Sequence, residues 1–272
     1  GGMMRYGVQE YRLPEKVLGR DLEDIVNLGV EVKTNMLIGK DFTLKELKDQ
    51  GYDAVLIATG LPLSRKLRIE GINLPEVLGG LDFLRDVRLG KDVRVREKVL
   101  VIGGGNVAMD VALTALRLGA KQVQVACLEK REEMPAFPWE IQQALEEGIA
   151  IDNSYGIKRI IGEDNCVVGA ELVRCVSVFD SEGRFNPSFD ELETKTVQAD
   201  MVIFAIGQAS DISGFSGEAS LQVSDLGTIK VDKATMETNI PDVFACGDVV
   251  NGPTSIVEAV ASGRKAAAVI DK

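Results

Sequence analysis

Residues 99–108 run Val-Leu-Val-Ile-Gly-Gly-Gly-Asn-Val-Ala, and no other stretch of the chain limits its fold so tightly. An unbroken aliphatic run from Lys98 to Ile102 predicts a strand covered on both faces. Three glycines then interrupt it. Beyond them Val107, Ala108, Val111, Ala112, Ala115 and Leu116 recur at helical spacing, which predicts a helix over Asn106 to Leu118 stopped by Gly119. A bound diphosphate needs this succession of strand, GxGxxA turn and helix. Gly103 permits the tight turn, Gly105 lets the backbone approach phosphate with no Cβ in the way, and Ala108 lets helix and strand pack closely. The helix start offers unpaired N–H groups and a partial positive charge to the anion. The candidate phosphate-binding residues are Gly103, Gly104, Gly105, Asn106, Val107 and Ala108.

A glycine turn that binds nothing would carry the same letters, so the context decides. The next strand, predicted over Val123 to Cys127, ends at Glu129, which lies 21 residues beyond Ala108. That spacing suits a carboxylate holding a ribose 2′-hydroxyl, and the same charge repels a 2′-phosphate. NAD(H) is therefore favoured over NADP(H), although Lys130 and Arg131 stand beside the acid where a phosphate would meet them. A second motif, Val243-Phe244-Ala245-Cys246-Gly247-Asp248, precedes Thr254-Ser255-Ile256 at a predicted helix start. A carboxylate at a strand end can hold a sugar or ribityl hydroxyl, and a helix start can stabilise negative charge on a reduced flavin. Local turn chemistry is the competing reading of Asp248.

Composition closes other routes. The chain has no histidine, so it holds no Ser-His-Asp triad and no imidazole base or metal ligand. Its four cysteines form no CxxC, which disfavours a local redox disulfide and a zinc ribbon. No metal site and no catalytic side chain are expected. A formal net charge of −11 disfavours nucleic acid as a partner. No apolar run approaches the roughly 20 residues that span a bilayer, and unpaired thiols suit a reducing compartment, read as the cytoplasm.

Elsewhere strands and helices alternate. The opening 14 residues read as a loop. Glu15 to Leu28 reads as a helix with Val17, Leu18, Leu22, Ile25 and Val26 on its inner face, followed by a short strand at Val30 to Val32. Thr43 and Glu46 have capping-box spacing. Ala54 to Ala58 reads as a buried strand, 61–97 as a loop-rich crossing, and Trp139 to Glu147 as a helix in which Trp139 anchors the packing. Alternation over 157–200 predicts antiparallel strands with a turn near 181–187. Val202 to Ile206 and Val243 to Ala245 read as strands, and 254–270 as a last helix.

Taken in order, several segments resemble the small (beta) subunit of glutamate synthase and related modules such as the flavin–pyridine-nucleotide half of dihydropyrimidine dehydrogenase. They are GGMMRYGVQEYRLP at the start, AVLIATG at 54–60, VLVIGGGNVAMD at 99–110, REEMPA at 131–136, VIFAIGQ at 202–208, and FACGD with the following GxxSIVEAVASGRKAA. The resemblance implies an α/β fold: a Rossmann-type doubly wound parallel-sheet NAD(P) domain, residues 93–210, inserted into an incomplete FAD-binding domain formed by 1–92 and 211–272. It implies that Ile206, Gly207 and Gln208 pass near the nicotinamide side and that Thr59 and Gly60 lie along FAD. Gly247 and Asp248 would meet the ribityl chain, with Ser255 and Ile256 at the helix start facing the flavin ring.

The chain departs from that family in three respects. A strand–GxGxxG–helix fingerprint for FAD is absent near the start, which implies an incomplete FAD site here and a longer native protein. The cysteine clusters that hold iron–sulfur centres are missing. Leu128-Glu129 stands where many members carry two arginines, which again favours NADH. The implied activity is hydride transfer from NADH to FAD, with electrons passing on to iron–sulfur centres or a partner subunit. The alternative is an NAD(H)-binding module without turnover as an isolated piece. A disulfide reductase like thioredoxin reductase is disfavoured by the missing CxxC.

Overall fold

The structure is a computed structural model that describes residues 1–215 and 221–272, so part of the expected 211–272 segment lies outside it. In chain order the elements are α1 (Met3–Tyr6), α2 (Glu15–Val26), α3 (Leu44–Asp49), β1 (Val55–Ile57), β2 (Leu63–Ser64), β3 (Val77–Gly79), α4 (Gly80–Arg88), β4 (Lys98–Ile102), α5 (Asn106–Arg117), β5 (Gln122–Cys127), α6 (Pro138–Glu146), β6 (Ala150–Asn153), β7 (Tyr155–Glu163), β8 (Cys166–Phe179), β9 (Phe185–Gln198), β10 (Met201–Phe204), β11 (Gln208–Ala209), β12 (Val243–Ala245), α7 (Asp248–Asn251) and α8 (Ile256–Ile270). They fall into two compact units. The first comprises chiefly Met3–Glu15 and Ser64–Gly207, the second Lys16–Leu63 and Gln208–Lys272.

The first unit is built on a five-stranded parallel sheet in the order β3-β10-β4-β5-β6. Side chains alternate faces along a strand, and here both faces are covered. Val99 and Val101 of β4, Val123 and Val125 of β5, and Met201 and Ile203 of β10 pack with Met109 and Leu113 of α5 and Ile141 of α6. On the opposite face Leu100, Ile102, Val202 and Phe204 meet Ile160, Val167 and Leu172 from an antiparallel sheet, β7-β8-β9. Helices thus cover one face and an antiparallel sheet the other. Residues 3–15 are tied on by charge: Arg12 donates to Asp110 at 2.6 Å and pairs with Glu140 at 2.8 Å, and the Tyr11 hydroxyl donates to Asp110 at 2.9 Å.

In the second unit β1 and β12 pair in parallel, Leu56 opposite Phe244. Ile57, Val243, Ala245 and Val249 pack with Leu44, Phe215 and Ile229. Thr43 and Glu46 close the expected capping box at the start of α3, and Ser255 and Glu258 form a second one at the start of α8.

Several expectations are corrected. The opening residues hold a short helix, α1, rather than a loop alone. Over 61–97, β3 and α4 belong to the first unit, and Leu81, Phe83 and Leu84 are buried; charges on the outer face of α4 masked its apolar side. The two compact units change over between Leu63 and Ser64 and between Gly207 and Gln208. Of the apolar face read on α2 only Leu18 is buried; Val17, Ile25 and Val26 are exposed. Residues 30–32 form no strand, and Val30 and Val32 are exposed. Strand β6, with Asp152 and Asn153 at its end, carries too little apolar patterning to be read from sequence. Trp139 is 63% exposed and stacks on Phe137 at 4.4 Å instead of anchoring the core.

Candidate dinucleotide-binding site

Strand β4 delivers Gly103 to the C-terminal crest of the parallel sheet. The turn is fixed by the backbone on both sides: the Gly103 N–H donates to Ala126 at 2.9 Å, and the Ala205 N–H donates to Ile102 at 2.8 Å. Gly103 has φ +137°, and a Cβ there would run into the Ala205 carbonyl. Both conditions exclude other residues. Gly105 is the N-cap of α5, with no side chain capping the helix. A Cβ on Gly105 would meet nothing closer than Pro135 Cγ at 3.9 Å, so this face of the turn is open. Ala108 is fully buried beneath it, while Val107 is half-buried.

Chain direction reverses here. From β4 the chain runs through α5 to β5 and then β6, whereas β10 and β3 lie on the other side. A crevice at such a switch point is the general ligand position in parallel α/β sheets. At the end of the neighbouring strand, Glu129 turns back toward the glycines. Its Oε2 lies 2.7 Å from where a Cβ on Gly104 would stand. Gly104 therefore serves to admit the carboxylate, a role its place in the motif did not reveal. The Glu129 carbonyl accepts from the Ser154 N–H at 3.0 Å and the Asn153 side-chain amide at 3.1 Å, which pins the residue. Burial, and then the nearby Glu133 charge, hold the Glu129 carboxyl above its ordinary range. Burial and the Glu129 charge push the Cys127 thiol up to about 12, so it is protonated and inert at neutral pH.

The loop after β5 closes one side of the turn. The Ala136 N–H donates to the Gly104 carbonyl at 3.1 Å, and the Phe137 N–H donates to Asn106 Oδ1 at 2.9 Å. Asn106 thus ties this loop to α5. Lys130 is exposed and pairs with Glu133 at 3.7 Å, and Arg131 reaches Met134 Sδ at 3.9 Å. On the far side of Gly103, Ile206 is half-buried and Gly207 is exposed with φ +108°. Sequence reasoning missed Arg65: its N–H donates to the Gly207 carbonyl at 3.1 Å, and its Cδ lies 3.4 Å from where a Cβ on Gly207 would stand. Gln208 opens β11, in the second unit.

The flavin candidates all lie in the second unit. Thr59 and Gly60 follow β1, with Gly60 at φ +67°. Gly247, at φ +71°, leads into α7, and its N–H donates to the Ser262 hydroxyl at 2.9 Å. Asp248 Oδ1 accepts from the Thr254 N–H at 3.2 Å and hydroxyl at 2.8 Å, so one carboxylate oxygen is used in the local turn. Ser255 is the N-cap of α8, and Ile256, its first residue, is exposed. Among the described residues no metal cluster occurs and all four cysteines are unpaired. No helix among them is long and apolar enough to cross a membrane.

The two dinucleotides fare differently against these residues. For NAD(H) the open face of Gly105, the uncapped start of α5 and the inward Glu129 fit. For FAD the second unit supplies Asp248 and the start of α8, but among its described residues no strand–GxGxxG–helix turn takes the diphosphate.

A parallel sheet with a glycine turn at its switch point defines a Rossmann-type α/β protein. The chain belongs to the pyridine nucleotide-disulphide oxidoreductase family, which it matches over residues 10–263. It is 39% identical to the NADP(+)-dependent formate dehydrogenase subunit beta of Moorella thermoacetica, over 100% of this chain and 39% of that protein. It is 35% identical to the glutamate synthase [NADPH] small chain of Azospirillum brasilense, over 98% of this chain and 58% of that protein. The chain therefore spans about two fifths to three fifths of these relatives. In fold it resembles FprA of Mycobacterium tuberculosis in complex with NADPH, with a TM-score of 0.78 at 18% identity over 99% of this chain and 74% of that one.

Proposed function

We propose that the chain is the pyridine-nucleotide part of a flavin-dependent oxidoreductase that takes hydride from NADH and, in the whole protein, delivers it to FAD. The observation that carries this reading is the open glycine turn at the switch point with Glu129 folded against it. NADH would lie with its diphosphate on the N–H groups at the start of α5 and its adenosine ribose on Glu129. FAD, when bound, accepts the hydride. The residues of this chain bind and orient the donor, and no side chain has to move a proton.

The NADH preference rests on Glu129 and its neighbour Glu133, which raise the cost of a 2′-phosphate. The names of both relatives carry NADP(H), so the preference is a property to be measured on this chain. A nucleotide domain over 93–210, flanked by flavin-domain segments 1–92 and 211–272, is part of the same proposal. So are a partner subunit or iron–sulfur centres as the next acceptor, and a cytoplasmic setting in which the thiols stay reduced. Titration calorimetry with NADH and NADPH tests the reading. Tighter binding of NADH supports it, equal affinity removes the role of Glu129, and absence of binding to either removes the site. If the protein binds NADH but purifies without flavin colour, the second reading holds: a nucleotide-binding module without turnover by itself. It is favoured by the absence, among the described residues of the second unit, of a glycine turn for the FAD diphosphate.

A further inference from the structure

We propose that Arg65 is a binding residue for the nicotinamide half of the dinucleotide, an assignment that rests on the dinucleotide reading above. If the diphosphate lies at Gly103–Gly105 and the adenosine ribose at Glu129, beyond β5, the other half of the molecule must leave the switch point in the opposite direction. That direction leads over the end of β10, where Ala205 adjoins Gly103 and the chain continues to Ile206 and Gly207. Gly207 is exposed, and the stem of Arg65 lies across it, with Cδ and Nε at 3.4 and 3.7 Å from the place of its missing Cβ. The cation is mounted on fixed backbone. Its own N–H donates to Gly207, and the preceding Ser64 hydroxyl accepts from the Leu81 N–H at 3.3 Å at the start of α4. A guanidinium offers donors only. On the nicotinamide half the acceptors it can meet are the ribose hydroxyls and the carboxamide oxygen.

The test is calorimetry of wild-type protein, Arg65→Ala and Arg65→Lys with NADH, ADP-ribose and ADP, alongside thermal melting. Arg65→Ala should weaken NADH roughly tenfold and leave ADP, which lacks the nicotinamide half, unchanged, and Arg65→Lys should restore part of the loss. ADP-ribose then locates the contact: a loss shared with ADP-ribose places it on the ribose, a loss confined to NADH on the carboxamide. Equal loss for NADH and ADP marks a structural role and overturns the proposal, as does unchanged NADH affinity. Failure of wild-type protein to bind either nucleotide would instead sink the dinucleotide reading itself.

Discussion

Gly103 is the most constrained residue of the site. Its φ of +137° and the Ala205 carbonyl where a Cβ would stand are two separate objections to any side chain. Gly103→Ala should lower stability by about 3 kcal/mol, read as a lower urea midpoint with an unchanged slope. Glu129 presents the opposite case, a side chain proposed to act through its charge. Glu129→Arg should move preference from NADH toward NADPH, with little change in melting temperature. Unchanged preference in the calorimeter would show that the carboxylate does not meet the ribose. Both residues were legible in the sequence, because backbone geometry fixes the spacing of a glycine turn and of the next strand end. Gly104 was legible only as a letter of the motif. Its partner, the Glu129 carboxylate, is brought to it by the pairing of β4 with β5. Arg65 was not legible at all, since nothing near it in the chain announces Gly207. Asp248 shows the limit from the other side: the expected ribityl ligand spends one oxygen on Thr254, a local turn contact.

Capping boxes belong to single elements, and sequence reads them well. At α3 the Glu46 N–H donates to the Thr43 hydroxyl at 3.1 Å while the Thr43 N–H donates to the Glu46 carboxylate at 2.8 Å. Thr43→Ala should cost about 1 kcal/mol and speed hydrogen exchange of the first amides of α3. Among longer elements, β4 and α5 were read almost to the residue, because a fully buried strand and an inward helix leave strong apolar patterns. The face of α2 was misread for a reason periodicity cannot reveal. Spacing puts Leu22, Ile25 and Val26 on the side of Leu18, but does not show whether anything in the chain covers it. The same holds for residues 30–32, whose apolar letters suit a strand that has no partner among the described residues. α4 was lost among its charges, since Asp82, Arg85, Asp86 and Arg88 are as many as its apolar side chains Leu81, Phe83, Leu84 and Val87.

At the scale of the whole molecule, the tie between residues 3–15 and the helices of the first unit sets a pH dependence. Glu140 is raised above its ordinary range chiefly by burial, with Arg12 opposing. One of its oxygens, Oε2, is buried without a hydrogen-bond partner. A carboxyl whose folded pKa exceeds its unfolded one binds its proton more tightly in the native state. Its contribution is therefore fully present below the unfolded value, near 4.5, and is lost as pH rises through the folded value. Relative to wild type, Glu140→Gln should gain stability as pH rises above the ordinary carboxyl value of 4.5 and level off once the native carboxyl is ionised, as followed by urea unfolding. A constant difference across that range would show that the ionisation of Glu140 does not act on folding. By itself the sequence determined the glycine turn, the acid after it, the run of buried strands and the class of protein, because these depend on local backbone geometry and on apolar spacing along one element. Only the tertiary structure decided that an antiparallel sheet covers the second face, that β10 adjoins β4 to set the switch point, and that Arg65 crosses Gly207. Those facts depend on which distant segments meet, and burial of apolar surface specifies that such segments must be covered without specifying by what.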